Sequence, residues 1–281
     1  MAGGAQKLTV LHFHGYTSNT FILHRRLGSI RKACRNVADF HGANGPLLVQ
    51  PITSSVQSLD APDDQKEVTE DTPIEEQPRA WWRASDDGSY RDIEQSWKLL
   101  SDTLAKVGHI DGVIGFSQGA CLAGMVAAAF EAPHLLPGLK IPETQRGSLK
   151  FAIAISGFRS RDPQHQALFD RGVVSTPVLN ILGRNDQIVD EERAQTLVAA
   201  CKQARVEYHP GGHVVPSQAP WRNFMRDWIA SFMEGSEESE AWKTIVGPAA
   251  RMGQADEDDN GGDSGAPSGT STPNITKKPG L

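Results

Sequence analysis

At 281 residues, with 38% hydrophobic and 22% charged side chains, the chain is long enough for one ordinary domain with a sizeable core and some remainder. A formal net charge of -6 argues against a nucleic-acid or anionic-membrane surface, since both need clustered positive charge. Cys34, Cys121 and Cys201 are odd in number, far apart and without close-paired metal spacing, which argues against a disulfide or zinc framework, and no basic leader or membrane-length apolar run occurs, so a soluble cytoplasmic protein is expected.

In chain order, apolar β-type runs fall at Leu8 to Phe13, Leu47 to Pro51, Gly112 to Phe116, Phe151 to Ser156, Val178 to Leu182 and Val206 to His209. Helical patterns lie between most of them, at Ile22 to Val37, Tyr90 to Val107, Gln118 to Phe130, Asp190 to Ala204 and Pro220 to Met233. Parallel neighbours need crossovers, and strands buried on both faces read as near-continuous apolar runs, so the alternation predicts an α/β fold with a mostly parallel sheet and helices on both faces. Strand order is left open by the pattern.

Two stretches break the rhythm. Ser54 to Pro78 is acidic and proline-bearing with little apolar periodicity, and is expected to be a surface excursion. The chain therefore divides into a domain over residues 1–235 and an acidic, Gly/Ser/Pro-rich tail over 236–281, which buries too little apolar surface to order itself. Trp242, Ile245 and Val246 interrupt the tail and are candidates for local docking.

The chemistry centres on Gly115-Phe116-Ser117-Gln118-Gly119, a G-x-S-x-G sequence that follows one predicted strand and opens a helix. Such a turn lifts a serine hydroxyl above the sheet edge, and side chains at either glycine would collide with backbone. A serine nucleophile needs a base and an orienting acid. Asp186, just past the strand 178–182, is the candidate acid, with Asp190 as a rival that also reads as a helix cap. His213, in the glycine-rich loop after the last strand, is the candidate base, with His209 the rival on the strand itself. The backbone N–H groups of Tyr16 and Gln118 are the expected oxyanion donors.

His12 and His14 alternate on one strand and share a face, but no third ligand is evident, so no metal site is expected and His14 reads as a loop-shaping residue. Trp81 and Trp82 are candidates either for packing or for an apolar substrate wall.

Taken together, LHFHGYTSN, RAWWRA, GVIGFSQGA, ISG, GRNDQIV and HPGGHVVP resemble the FSH-type serine hydrolases of fungi and animals, the ovarian-cancer-associated candidate protein two among them. The resemblance runs from Leu8 to about Phe232 and implies a small α/β-hydrolase fold, a triad of Ser117, Asp186 and His213, and hydrolysis of carboxylic esters or thioesters without a cofactor. It implies a small-molecule substrate, which in some fungal members is a polyketide thioester on a carrier domain of secondary metabolism. The alternative reading is a catalytically weak binding module for small apolar acids or esters, since a fold alone does not guarantee turnover.

Overall fold

The computed structural model describes residues 6–50, 68–170, 174–233 and 240–252. Strands and helices follow in the order β1 (Leu8–Phe13), α1 (Thr20–Arg26), α2 (Gly28–Ala33), β2 (Ala38–Ala43), β3 (Leu47–Leu48), β4 (Arg79–Ala80), β5 (Arg83–Ala84), β6 (Tyr90–Arg91), α3 (Ile93–Val107), β7 (Gly112–Phe116), α4 (Gln118–Glu131), β8 (Phe151–Ile155), β9 (Val178–Gly183), α5 (Glu191–Val198), β10 (Ala204–His209), α6 (Ala219–Ala230) and α7 (Ala241–Thr244).

Six strands form one sheet in the order β10-β9-β8-β7-β1-β2, with every neighbouring pair parallel. From β1 the chain steps outward to β2, then crosses to β7 and proceeds the other way. The direction therefore reverses between β1 and β7, and the crevice beyond the carboxyl ends of those two strands is where open α/β sheets bind ligands.

Each inner strand sends alternate side chains into two separate cores. In β8, Phe151, Ile153 and Ile155 face the α1, α2 and α6 side, while Ala152 and Ala154 face the α4 side. The small residues let α4 lie close on the sheet, and that helix is itself built of small side chains, with Ala120, Ala123, Ala127 and Ala128 wholly buried. On the opposite side Phe151 meets Trp228 edge-on at 5.5 Å and Phe232 at 5.1 Å. Burial on both faces is what makes these strands legible as apolar runs.

Several predicted boundaries change. The helix expected over Ile22 to Val37 is two short helices, with Leu27 ending one and preceding Gly28 of the next. It is followed by β2, an edge strand that the apolar pattern does not reveal, because its central residues Asp39 to Gly42 are only partly buried or exposed. Of the strand expected at Leu47 to Pro51, Leu47–Leu48 pairs antiparallel with Arg79–Ala80 outside the main sheet, and Pro51 lies outside the described residues. Tyr90 belongs to a two-residue strand paired with Arg83–Ala84, so the helix there starts at Ile93. The helix expected over Asp190 to Ala204 stops at Val198, and β10 starts two residues earlier than expected.

Much of the excursion at 54–78 lies outside the described residues, as does most of the tail. The described part of the excursion, from Val68, folds back on the loop after β1: Asn19 Nδ2 donates to the carbonyls of Glu75 and Gln77 at 2.8 and 3.1 Å. Past the tail's start, Trp242 is buried and packs near Trp228, with ring centroids 6.5 Å apart. Arg205 holds the segment by donating to the carbonyls of Trp242 and Ile245, both at 2.6 Å. Val246 stays exposed. No helix among the described residues is long and apolar enough to cross a membrane.

Candidate active site

Ser117 sits at the switch point, between the end of β7 and the first turn of α4, with φ 56° and ψ -118°. This positive φ is costly for a residue with a Cβ, and a fold keeps such a conformation only where its surroundings over-determine it. Here they do. The Ser117 N–H donates to the Ile155 carbonyl at 2.9 Å, and the two flanking glycines let three backbone segments converge. A Cβ on Gly115 would lie 2.0 Å from the Gly119 carbonyl oxygen, and one on Gly119 would lie 2.1 Å from the Phe13 carbonyl oxygen.

Because those neighbours are backbone atoms, no side-chain rotation relieves the clash. Gly119→Ala is expected to destabilise the protein by about 3 kcal/mol, the upper range for overpacking. In a thermal melt this would lower Tm by roughly 6–12 °C for a chain of this size. An unchanged Tm would mean that the elbow is looser than its contacts indicate.

Asp186 and His213 come together. His213 Nδ1 lies 2.8 Å from Asp186 Oδ2, and the other carboxylate oxygen accepts from the N–H groups of Ile188 at 3.0 Å and Val189 at 2.9 Å. Burial pushes the Asp186 carboxyl up, but the Val189 amide, the His213 ring and the Ile188 amide outweigh it and hold the group below the ordinary carboxylate range. A fixed carboxylate at Nδ1 keeps a neutral imidazole protonated there and leaves Nε2 as the basic nitrogen.

The His213 ring packs 4.8 Å from the ring of Phe116, the residue before Ser117. No hydrogen bond joins the Ser117 hydroxyl to the imidazole among the described residues; in unliganded sites such contacts are commonly long and tighten on substrate. Both rivals are otherwise engaged. Asp190 caps α5 by accepting from the Arg193 N–H at 2.8 Å. His209 is buried against Trp221, with its Nδ1 accepting from the Gly211 N–H at 3.2 Å.

The Tyr16 and Gln118 amides have no hydrogen-bond partner among the described residues, so both donors are available. The loop carrying Tyr16 is braced by His14. Its Nδ1–H donates to the Gly15 carbonyl at 2.7 Å and its Nε2 accepts from the Gly45 N–H at 2.8 Å, a pattern only the neutral ring satisfies. Burial drives its pKa down to about 4, against a partial rise from the Gly15 bond, with Arg79 lowering it further. His12, buried beside His24, Arg31 and His41, is lowered to about 3, chiefly by burial. Among the described residues no group of three His, Cys, Asp or Glu side chains could hold a metal ion.

These two histidines set an acid limit on the fold. Each titrates lower when folded than its unfolded value of 6.5. The unfolded chain therefore binds the extra protons, and stability is full above pH 6.5 and falls as the pH drops toward 4. Between pH 7 and pH 5 the loss is expected to be on the order of 3–4 kcal/mol, read as a lower urea midpoint. A midpoint that does not move between those values would show that the rings protonate without unfolding.

Trp81 and Trp82 do not form an open substrate wall. Both are buried, at 0% and 2% exposure. Trp81 meets Phe13 edge-on and donates its ring N–H to the His14 carbonyl at 2.8 Å, while Trp82 stacks on Tyr90 at 4.5 Å. Aromatic area is used here for packing. Beyond the backbone role expected of Gln118, its side chain fixes both tryptophans: it accepts from the Trp81 N–H and donates to the Trp82 carbonyl, both at 2.9 Å. A residue not singled out from the sequence is Asn19, which caps α1 by accepting from the Ile22 N–H at 2.8 Å while holding the excursion. A cap residue before a helical run is a readable signal; the second contact is not.

The model of the family described as "Serine hydrolase (FSH1)" matches residues 1–225. The chain belongs to the FSH1 serine hydrolase family. Among relatives in sequence, Esterase CG5412 of Drosophila melanogaster is 29% identical over 91% of this chain and 85% of its own length. Esterase OVCA2 of Danio rerio is 29% identical over 81% of this chain and 99% of its own. Among solved structures, Zea mays acyl-protein thioesterase 2 superposes with a TM-score of 0.51 at 17% identity, covering 83% of this chain and 96% of that one, a likeness of α/β-hydrolase fold. FSH1 membership makes the chain a hydrolase, and the fold matches the expectation from its strand and helix pattern.

Proposed function

We propose that this chain is a carboxylic ester or thioester hydrolase working through an acyl-enzyme on Ser117. The observation that carries the reading is the 2.8 Å pairing of His213 with a buried Asp186, beside a serine held on a strained elbow. In the cycle, His213 Nε2 takes the Ser117 proton as Oγ attacks the acyl carbon, and the Tyr16 and Gln118 amides hold the resulting oxyanion. The imidazolium returns its proton to the leaving oxygen or sulfur. Water, deprotonated by the same ring, then cleaves the acyl-serine ester and releases the acid. Esterase names on the relatives support the same reading.

The rim favours an apolar acyl group. Tyr16, Ile188 and Val214 are exposed at 38%, 64% and 49%, and each is, or lies within two residues of, a group with a role in the cycle. Apolar side chains held in water beside polar reacting groups are what an acyl-binding mouth requires. Release of a polyketide from a carrier is the same reaction with sulfur as the leaving atom. A cytoplasmic setting suits the three free thiols, of which Cys34 and Cys201 are pushed up to about 12 by burial and are unreactive.

The test is reaction with a fluorophosphonate probe together with turnover of a p-nitrophenyl acyl ester, both requiring Ser117. A native chain that binds apolar acids but neither labels nor turns over would instead be a binding module.

A further inference from the structure

We propose that a cleft at the carboxyl end of β8 binds a phosphate group on the leaving half of the substrate. The cleft has a volume of about 560 Å³ and is lined by Arg159, Arg161, Asp162, Gln166, Arg193 and Thr196, among others. Three arginines and one aspartate in the lining make a local excess of positive charge in a chain whose net charge is -6. None of the three arginines forms an ion pair among the described residues; Arg193 lies 3.8 Å above the Phe158 ring and reaches only the Ile188 carbonyl, at 3.4 Å.

Asp162, Thr196 and Ser160 of the cleft are already committed. Asp162 accepts from the amides of Tyr90 and Gln164 at 2.7 and 2.9 Å. The Thr196 hydroxyl accepts from the Arg159 N–H and donates to the Arg193 carbonyl, and Ser160 pairs with His165. The donors left over are guanidinium N–H groups, whose planar fork matches phosphate oxygens and whose mutual repulsion an anion relieves, together with the Gln166 amide.

The position suits a substrate of the reaction proposed above, on which this inference rests. In the sheet β8 lies between β7, which ends at Ser117, and β9, which leads to Asp186, and Arg193 touches the Asp186 loop through Ile188. An acyl chain over the Tyr16, Ile188 and Val214 rim leaves the alcohol or thiol half to reach the arginines. The phosphate takes no part in bond changes: the acyl C–O or C–S bond breaks, water supplies hydroxyl to the acyl carbon and a proton to the leaving atom. The phosphate could sit on a thiol arm such as pantetheine or on an alcohol such as glycerol.

Binding to the Ser117→Ala protein, measured by calorimetry, tests this with two matched pairs: octanoyl-pantetheine with and without its 4′-phosphate, and monooctanoylglycerol with and without a 3-phosphate. The phosphorylated member of one pair is expected to bind about tenfold tighter or more, and that pair identifies the source. Arg159→Ala with Arg161→Ala should erase the preference, Arg159→Lys with Arg161→Lys should keep part of it, and added salt should shrink it. Equal affinity within both pairs, or a preference that the alanine double variant retains, overturns the proposal. The readout is binding to a protein lacking the nucleophile, so it stands apart from the hydrolase reading, whose own failure would appear as ester turnover that does not need Ser117.

Discussion

Ser117→Ala is expected to lower kcat for a p-nitrophenyl acyl ester by about 10,000-fold or more, and to abolish fluorophosphonate labelling, while leaving the fold intact. The size follows from the serine being the atom that forms the covalent intermediate, so nothing in the site can substitute for it. The fold survives because alanine keeps the Cβ and hence the same backbone strain at φ 56°, while the Ser117 N–H still donates to Ile155. The lost hydroxyl supports no hydrogen bond elsewhere among the described residues. Tm should therefore move little, since a surface-side atom with no structural partner is removed. Residual turnover above water would reflect the amide donors and binding alone. If the alanine protein instead kept activity near the native level, with its Tm unchanged, the nucleophile would lie elsewhere and the cycle built on Ser117 would fall.

The parts of this architecture legible from sequence are those whose physics is local or periodic. Strands buried on both faces show themselves as apolar runs, and the G-x-S-x-G turn announces its own geometry, because only glycine tolerates the approaches at 115 and 119. Asp186 and His213 are legible as loop residues just past strand ends. Their pairing follows from the roles a serine nucleophile requires, and the neighbouring places of β9 and β10 in the sheet bring the two loops, 27 residues apart in the chain, together.

What fails does so for definable reasons. The edge strand β2 has no second buried face, so Asp39, His41 and Gly42 disguise it. Trp81 and Trp82 carry the same composition whether they line a pocket or fill a core, and burial decides for the core. The arginine cleft joins the loop after β8 to α5, more than 30 residues apart in sequence, and no short motif records that meeting.

Asp186→Asn is expected to lower kcat by about 10,000-fold while leaving stability nearly unchanged, and the reason is tautomeric. In the native protein one carboxylate oxygen accepts from two amides, those of Ile188 and Val189. Those donors force the amide oxygen of an asparagine into the same place, which turns its NH₂ group toward His213. Two donors cannot share one hydrogen bond, so the imidazole must present Nδ1 as an acceptor and carry its proton on Nε2. The nitrogen that should take the Ser117 proton is then a donor, and the ring is no longer a base.

Because the heavy atoms barely move, Tm should hold while turnover and the rate of fluorophosphonate labelling collapse together. The combination with Ser117→Ala provides a sharper check. Groups that act as one unit are not additive, so the double variant should be no slower than Ser117→Ala alone. An Asp186→Asn protein within about tenfold of native activity would show that the carboxylate only shapes its loop. Asp190 would not take over as orienter, since its oxygen is committed to the Arg193 amide at the start of α5.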